Sequence, residues 1–261
     1  MKIIKWIKNK KKYEFVPGSE ITICGGTQLM RIRALRDFGN VRKGDVGGYI
    51  QSEKNISHNG DCWVCHNAKV YGDARVFDDA KVYGDARVFD DARVYGDAKV
   101  FGNARVFDNA EVYDNARVYD NVRVYDTARV FDTARVFDTA GVYDNSEVYD
   151  NARVYGDARV CDDARVFGDA KVFGDARVFG PVMVYGDAEV KGDEDYIVFK
   201  NWWSSGRFFT WTRSNNMWKV GCFYGTGEEL IKKAYKDSER SGIEYERIVN
   251  YVEEILRDER E

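Results

Sequence analysis

The chain has 261 residues, with 40 basic and 44 acidic side chains, two prolines and a net charge of −4. That balance argues against a general nucleic-acid binder, whose footprint is strongly basic. The lack of any apolar run of about 18–20 residues argues against a membrane span. Charge is unevenly spread: residues 1–67 carry 12 basic against 6 acidic side chains, and residues 68–193 carry 17 against 25.

The chain starts MKIIKWIKNKKKYEF, rich in lysine but without the apolar stretch and small-residue cleavage site of a secretion signal. The odd, scattered cysteines (Cys24, Cys62, Cys65, Cys161, Cys222) read as reduced thiols of a cytoplasmic protein. Tyr13–Val16, Ile21–Cys24 and Leu29–Leu35 read as strands, broken by Gly18, Gly25, Gly26 and Gly39. Residues 1–45 are therefore expected to form a β-rich N-terminal cap.

From Ala68 to Asp193 the sequence divides into 21 uninterrupted hexads of the form A-[R/K]-V-[Y/F]-[G/D]-[D/N/T]. Position three is Val from Val70 to Val190, and position one is Ala except at Val122, Ser146 and Val182. Strand side chains alternate between faces, so an inward Val places Ala inward as well and the basic and aromatic residues outward. Positions five and six carry turn chemistry, since Gly, Asp and Asn tolerate positive φ or bond their own backbone. Two inward residues and then a corner describe one side of a triangular coil. Three hexads make a coil of 18 residues, and stacked coils form a single-stranded β-helix, expected to be left-handed, about 35 Å long at the strand spacing. Degenerate hexads (Ile50–Asn55, Ile56–Asp61, Cys62–Asn67) extend it upstream, so the solenoid is expected over residues 46–193. Its ends would expose unpaired backbone, and caps are required.

Residues 194–261 read as a small α+β cap. Tyr196–Trp203, Phe208–Arg213 and Met217–Phe223 suit three strands. Thr226-Gly-Glu-Glu229 matches a capping box opening a helix to about Glu239, Gly242 punctuates, and Ile243–Arg257 gives a second helix. The aromatic cluster Trp202, Trp203, Phe208, Phe209, Trp211, Trp218 and Phe223 reads as the core of this cap.

The hexads, the stretch RIRALRDFGNVRKGDVGGYIQSEKNIS followed by CWV, and GCFYGTGEEL together resemble YdcK-like hexapeptide-repeat proteins. These occur in bacteria and their phages and are variously described as transferases or as polymer-forming. The likeness spans nearly the whole chain. It implies a left-handed β-helix and, through the phage-borne members, an accessory role such as antagonising a host defence complex; it implies no common activity.

Cys62-Trp-Val-Cys65-His66 spells the pattern of covalent haem attachment. In the repeat register, however, Cys62 points inward, Cys65 outward and His66 sits at a corner, so neither haem, zinc nor a disulfide is expected. Hexapeptide acyltransferases share the solenoid and use a histidine base with acyl-CoA. Here the candidates are His58 and His66, both in the degenerate coils, and this enzyme reading is the alternative. The preferred reading is a non-enzymatic, rigid interaction protein without cofactor or metal, binding a protein partner or itself. Every third hexad lies on one face, and the first face carries Lys81, Lys99, Arg117, Arg135, Arg153 and Lys171 beside Tyr83, Phe101, Tyr119, Phe137, Tyr155 and Phe173. The second face is broken at Gly141 and the third at Glu111, Glu147 and Met183. Rings and cations stacked at the strand spacing are expected to support one another by cross-strand packing and cation–π contact. Asp90, Asp108, Asp126, Asp144 and Asp162 form a corner ladder whose repulsion neighbouring arginines are expected to offset. Those aspartates would also repel phosphate, so nucleic acid is not the expected partner. Thr127, Thr133 and Thr139 fall in one coil without an evident role.

Overall fold

A computed structural model describes residues 11–259. Most of the lysine-rich start, read above as no secretion signal, lies outside them. Strands β1 (Tyr13–Phe15), β2 (Ile21–Thr22), β3 (Gln28–Ala34) and β4 (Val46–Ile50) open the chain. β1 and β2 both pair antiparallel with β3, which pairs antiparallel with β4. β4 then pairs parallel with the first regular hexad, Tyr49 opposite Lys69 and Ile50 opposite Val70.

Every hexad thereafter contributes a two-residue strand at positions two and three, paired parallel with the strand 18 residues on, as in Lys81–Lys99–Arg117. The strands fall into three sheets, one per side of the coil, and make a mainly β solenoid of about eight coils. Ala and Val at positions one and three are buried throughout, as are Val122, Ser146 and Val182. Each buried Val contributes roughly 1.5–3 kcal/mol by leaving water. The polar exception, Ser146, donates its hydroxyl to the carbonyls of Tyr143 (2.8 Å) and Val160 (3.2 Å). From Gly72 to Gly186 position five turns the chain in the left-handed region, with φ from 55° to 73° at its Asp and Gly residues, the conformation that Gly and Asp tolerate best; in the last hexad Gly192 is extended, at φ −144°.

The first coil differs from the register expected. Ile50 and Ile56 take the Val position rather than position one, since they pair with Val70 and Val76, 20 residues away. Trp63 is back in the 18-residue register with Lys81. Two extra residues are therefore accommodated between Ile56 and Trp63, around His58.

The C-terminal unit has four strands, not three: β5 (Tyr196–Lys200), β6 (Phe208–Thr212), β7 (Met217–Val220) and β8 (Phe223–Gly225) form an antiparallel sheet. Gly221, at φ 56°, splits the stretch read as one strand. Helix α1 (Gly227–Asp237) starts at the predicted capping box, where Thr226 Oγ1 accepts from Glu229 N and Glu229 Oε2 accepts from Thr226 N. Helix α2 (Glu239–Asp258) begins at Ser238 and runs through Gly242, so Gly242 is no break. A Cβ there would lie 2.2 Å from the Tyr235 ring; the glycine lets α2 pack against α1. Trp203, Phe209, Trp211 and Trp218 enter this second core with Leu230, Tyr245 and Val249. Trp202 and Phe208, expected inside, are exposed. No helix among the described residues is long and apolar enough to cross a membrane.

Each end of the solenoid is closed by groups of the matching polarity. Parallel pairing carries each position-two N–H to a position-one carbonyl of the next coil, as in Lys171 N to Ala188 O. The N-terminal end therefore presents carbonyls and the C-terminal end N–H groups. At the first end Lys12 Nζ donates to Cys62 O, the Tyr13 hydroxyl to Ile56 O, and Asn55 Nδ2 to Gly72 O and Ala74 O. At the other end the last position-two N–H on each face finds a side-chain oxygen: Arg177 N donates to Asp193, Met183 N to Thr210 and Glu189 N to Ser214. Buried backbone groups left without partners are costly, and these contacts satisfy one such group on every side of the triangle at the C-terminal end.

Candidate functional site

On the first face the rings of Tyr83, Phe101, Tyr119, Phe137, Tyr155 and Phe173 form one unbroken stack. Centroids are 4.7–5.2 Å apart and planes within 6° of parallel. Both faces of each inner ring are occupied by its neighbours, and only edges meet solvent. The expected cation–π pairing between the rows does not occur among the described residues; the inner rings have no face free for a guanidinium. Such pairs lie instead at the ends, as with Arg31 on Tyr49 (4.3 Å) and Lys219 on Tyr185 (4.5 Å). Beside the stack, Lys171 pairs with Glu189 at 2.7 Å. Among the described residues, Lys81, Lys99, Arg117, Arg135 and Arg153 have no carboxylate within ion-pair distance. A groove of about 410 Å³ opens at the start of this face, lined in part by Val46, Trp63, Cys65, His66, Lys81 and Tyr83.

The other faces are less regular. On the third, Glu111 pairs with Arg93 (3.3 Å), and Glu147 lies between Arg129 and Arg165. Its ring stack runs from Phe77 to Tyr185 and ends against Tyr224 of the C-terminal unit. On the second face the stack stops at Tyr143, because Cys161 replaces a ring, and Phe179 beyond it is left 53% exposed.

The corner aspartates are not compensated by arginines. Each carboxylate instead accepts from the position-five N–H of the next coil: Asp108 from Asp126 N, Asp126 from Asp144 N, Asp144 from Asp162 N, and Asp162 from Gly180 N. At Asp90 burial, and then the Asp108 charge, push the carboxyl pKa upward. Donor atoms of Asp144, Cys161 and Asp162 lie within 4.8 Å of one another, and one oxygen of each carboxylate accepts from those amides. The three threonines bond in the same direction, Thr127 Oγ1 to Asp144 O (3.0 Å), Thr133 Oγ1 to Asp150 O (2.8 Å) and Thr139 Oγ1 to Gly156 O (2.9 Å). They form a belt tying one coil to the next.

His58 has no nitrogen to offer a substrate. Its Nδ1 accepts the Lys12 backbone N–H at 3.1 Å, its ring stacks on Tyr13 at 4.4 Å, and its enclosed Nε2 faces Glu53 Oε2 at 3.9 Å. His66 is exposed at its corner, with Nδ1 3.6 Å from Cys65 Sγ. Cys62 is fully buried while Cys65 lies on the outer wall, the arrangement expected from the register. Burial raises the pKa of both thiols. Lys12, buried against Cys62, was missed by sequence reasoning; a lysine in a lysine-rich stretch gives no signal of burial.

Three parallel sheets, an inward Val–Ala ladder and closed ends define a β-solenoid repeat protein. The family model described as the YdcK beta solenoid repeat matches residues 80–96, 110–126 and 148–160. In these stretches of the solenoid the chain is similar to YdcK-like repeat proteins. Comparison with curated proteins gives no match.

Proposed function

We propose that the protein is a non-enzymatic interaction scaffold whose first face docks an acidic protein surface. The carrying observation is the row Lys81, Lys99, Arg117, Arg135 and Arg153, unpaired among the described residues, held beside an unbroken ring stack. A rigid wall loses little conformational freedom on binding, which favours affinity. The cations repeat at the strand spacing, so an extended acidic segment can meet several at once. Asp79, Asp97 and Asp169 on one edge and Asp85, Asp157 and Asp175 on the other confine the positive strip. A broad phosphate backbone laid on the face would meet those carboxylates. The groove beside Trp63 and Tyr83 gives the same face a place for an apolar anchor.

Native mass and affinity capture from host lysate test the reading, using wild type, Tyr119→Ser/Phe137→Ser/Tyr155→Ser, and the second-face control Arg87→Ser/Arg105→Ser. A stoichiometric acidic partner held by wild type and the control, and lost by the first-face variant, is expected. Retention by the first-face variant, or a wild-type mass of several copies without another protein, overturns it.

A further inference from the structure

Position two of the second face reads Lys69, Arg87, Arg105, Arg123, Gly141, Arg159 and Arg177 in successive coils. Neither backbone conformation nor space requires the glycine. Its φ is not positive, and a Cβ built there would meet only the Tyr143 ring, at 3.7 Å. The missing side chain leaves a hollow of about 430 Å³, lined by Asn121, Arg123, Tyr125, Thr139, Tyr143 and Arg159 among others.

The adjacent face shows what such a place holds. Six residues on, in the same coil, Glu147 stands at position two with one carboxylate oxygen toward Arg129 and the other 3.2 Å from Arg165 Nε. Two coils earlier on that face, Glu111 accepts from the Tyr95 hydroxyl at 3.2 Å and from Arg93 at 3.3 Å. Arg123 and Arg159 stand to Gly141 as Arg129 and Arg165 stand to Glu147. Tyr125 stands to Gly141 as Tyr95 stands to Glu111. Three donors are thus in register around a position that lacks its acceptor. Among the described residues, neither Arg123 nor Arg159 has an ion-pair partner.

The geometry points to a carboxylate-binding notch over Gly141. An external carboxylate seats between the two guanidinium groups, one oxygen toward each, and accepts from the Tyr125 hydroxyl. Arginine suits this because its planar donors match carboxylate geometry. The two cations lie two coils apart, roughly 10 Å at the strand spacing, which one two-oxygen group bridges through their side chains. Asp126 and Asp144, at the corner beside Tyr125 and Tyr143, oppose a doubly charged phosphate more than a singly charged carboxylate. The ligand is a small organic acid or an acidic side chain, and the chemistry is the same for both. This inference does not rest on the first-face reading.

Titration with sodium butyrate at constant ionic strength, followed by the arginine Nε–Hε NMR signals, tests it. A parallel arm uses a short peptide with blocked termini and one glutamate, separating a side-chain source from a free acid. Saturable shifts of the Arg123 and Arg159 signals are expected with at least one of the two probes. Gly141→Glu, which supplies an internal carboxylate, is expected to weaken the response at least tenfold, and Arg159→Gln should do likewise without disturbing the core. Absence of saturation with both probes, an undiminished response in a folded variant, or inorganic phosphate binding as tightly as the better carboxylate probe overturns the assignment.

Discussion

Lys12 Nζ lies 2.8 Å from the carbonyl oxygen of Cys62 and 3.1 Å from its thiol sulfur, in a site closed to solvent. The ammonium also reaches the carbonyls of Gly60 (3.3 Å) and Asn59 (3.4 Å). A charged donor here closes the carbonyl-bearing end of the solenoid. Hydroxyl and carboxylate acceptors close the other end, where N–H groups remain.

Replacing Lys12 with Met keeps the volume but removes the donor. The Cys62 carbonyl then stays buried without that bond. A loss of about 1.5–3 kcal/mol is expected from a hydrogen bond to a charged group. Denaturant unfolding checks this; a loss below about 0.5 kcal/mol would mean that water takes over the lysine's role.

At the opposite end, Thr210→Val removes the acceptor for Met183 N–H, and Ser214→Ala removes that for Glu189 N–H. Each is expected to cost about 1 kcal/mol. Hydrogen exchange at Met183 and Glu189 should accelerate, while amides in central coils such as Arg117 keep their protection.

Val124 is fully buried in a middle coil. Val124→Asp buries a charge with no partner, and a repeat array depends on contacts between neighbouring coils. Loss of the folded state at ordinary temperature is expected by circular dichroism. A soluble, cooperatively folded variant would contradict the inward assignment of position three.

Burial holds the His58 imidazole below its ordinary pKa of 6.5. Glu53 pulls the other way, while Lys11, Lys12 and Arg36 act with burial. The folded state therefore prefers the neutral ring, and below pH 6.5 the unfolded chain binds more protons. Stability from this site is present above pH 6.5 and is lost as pH falls from there toward the depressed folded value. Protonation would also place a hydrogen on the Nδ1 that accepts from Lys12 N. A steeper decline of Tm on acidification is expected for wild type than for His58→Gln.

Gly242→Ala should destabilise the C-terminal unit although alanine is the better helix former. The added Cβ would fall 2.2 Å from the Tyr235 ring, so α1 and α2 must separate or the ring must move. Overpacking of this kind costs about 1–3 kcal/mol. Combining Gly242→Ala with Tyr235→Ala should remove that clash, so a double-mutant cycle is expected to show the first change costing less in the Tyr235→Ala background.

The solenoid was legible because its signal is periodic. Val at the third position of each hexad, and Gly or Asp where φ turns positive, assign inside, outside and corner before any contact is known. The sequence also supplied the first-face rows, the breaks at Gly141, Glu111 and Glu147, and the opposite placement of Cys62 and Cys65. What it could not supply depends on partners brought together from afar. Lys12 is buried because the N-terminal strands carry it over the open coil, and a glycine stands inside α2 at Gly242 because Tyr235 approaches it from α1 too closely for a Cβ. Ile50 and Ile56 take the Val position because two extra residues are absorbed beside His58. The corner aspartates find amides of the next coil rather than arginines, a choice set by the left-handed backbone. The hollow at Gly141 acquires meaning only once Glu147 is seen filling the same place on the adjoining face. Repetition determined the wall; the three-dimensional packing decided what seals its ends and where it is left incomplete.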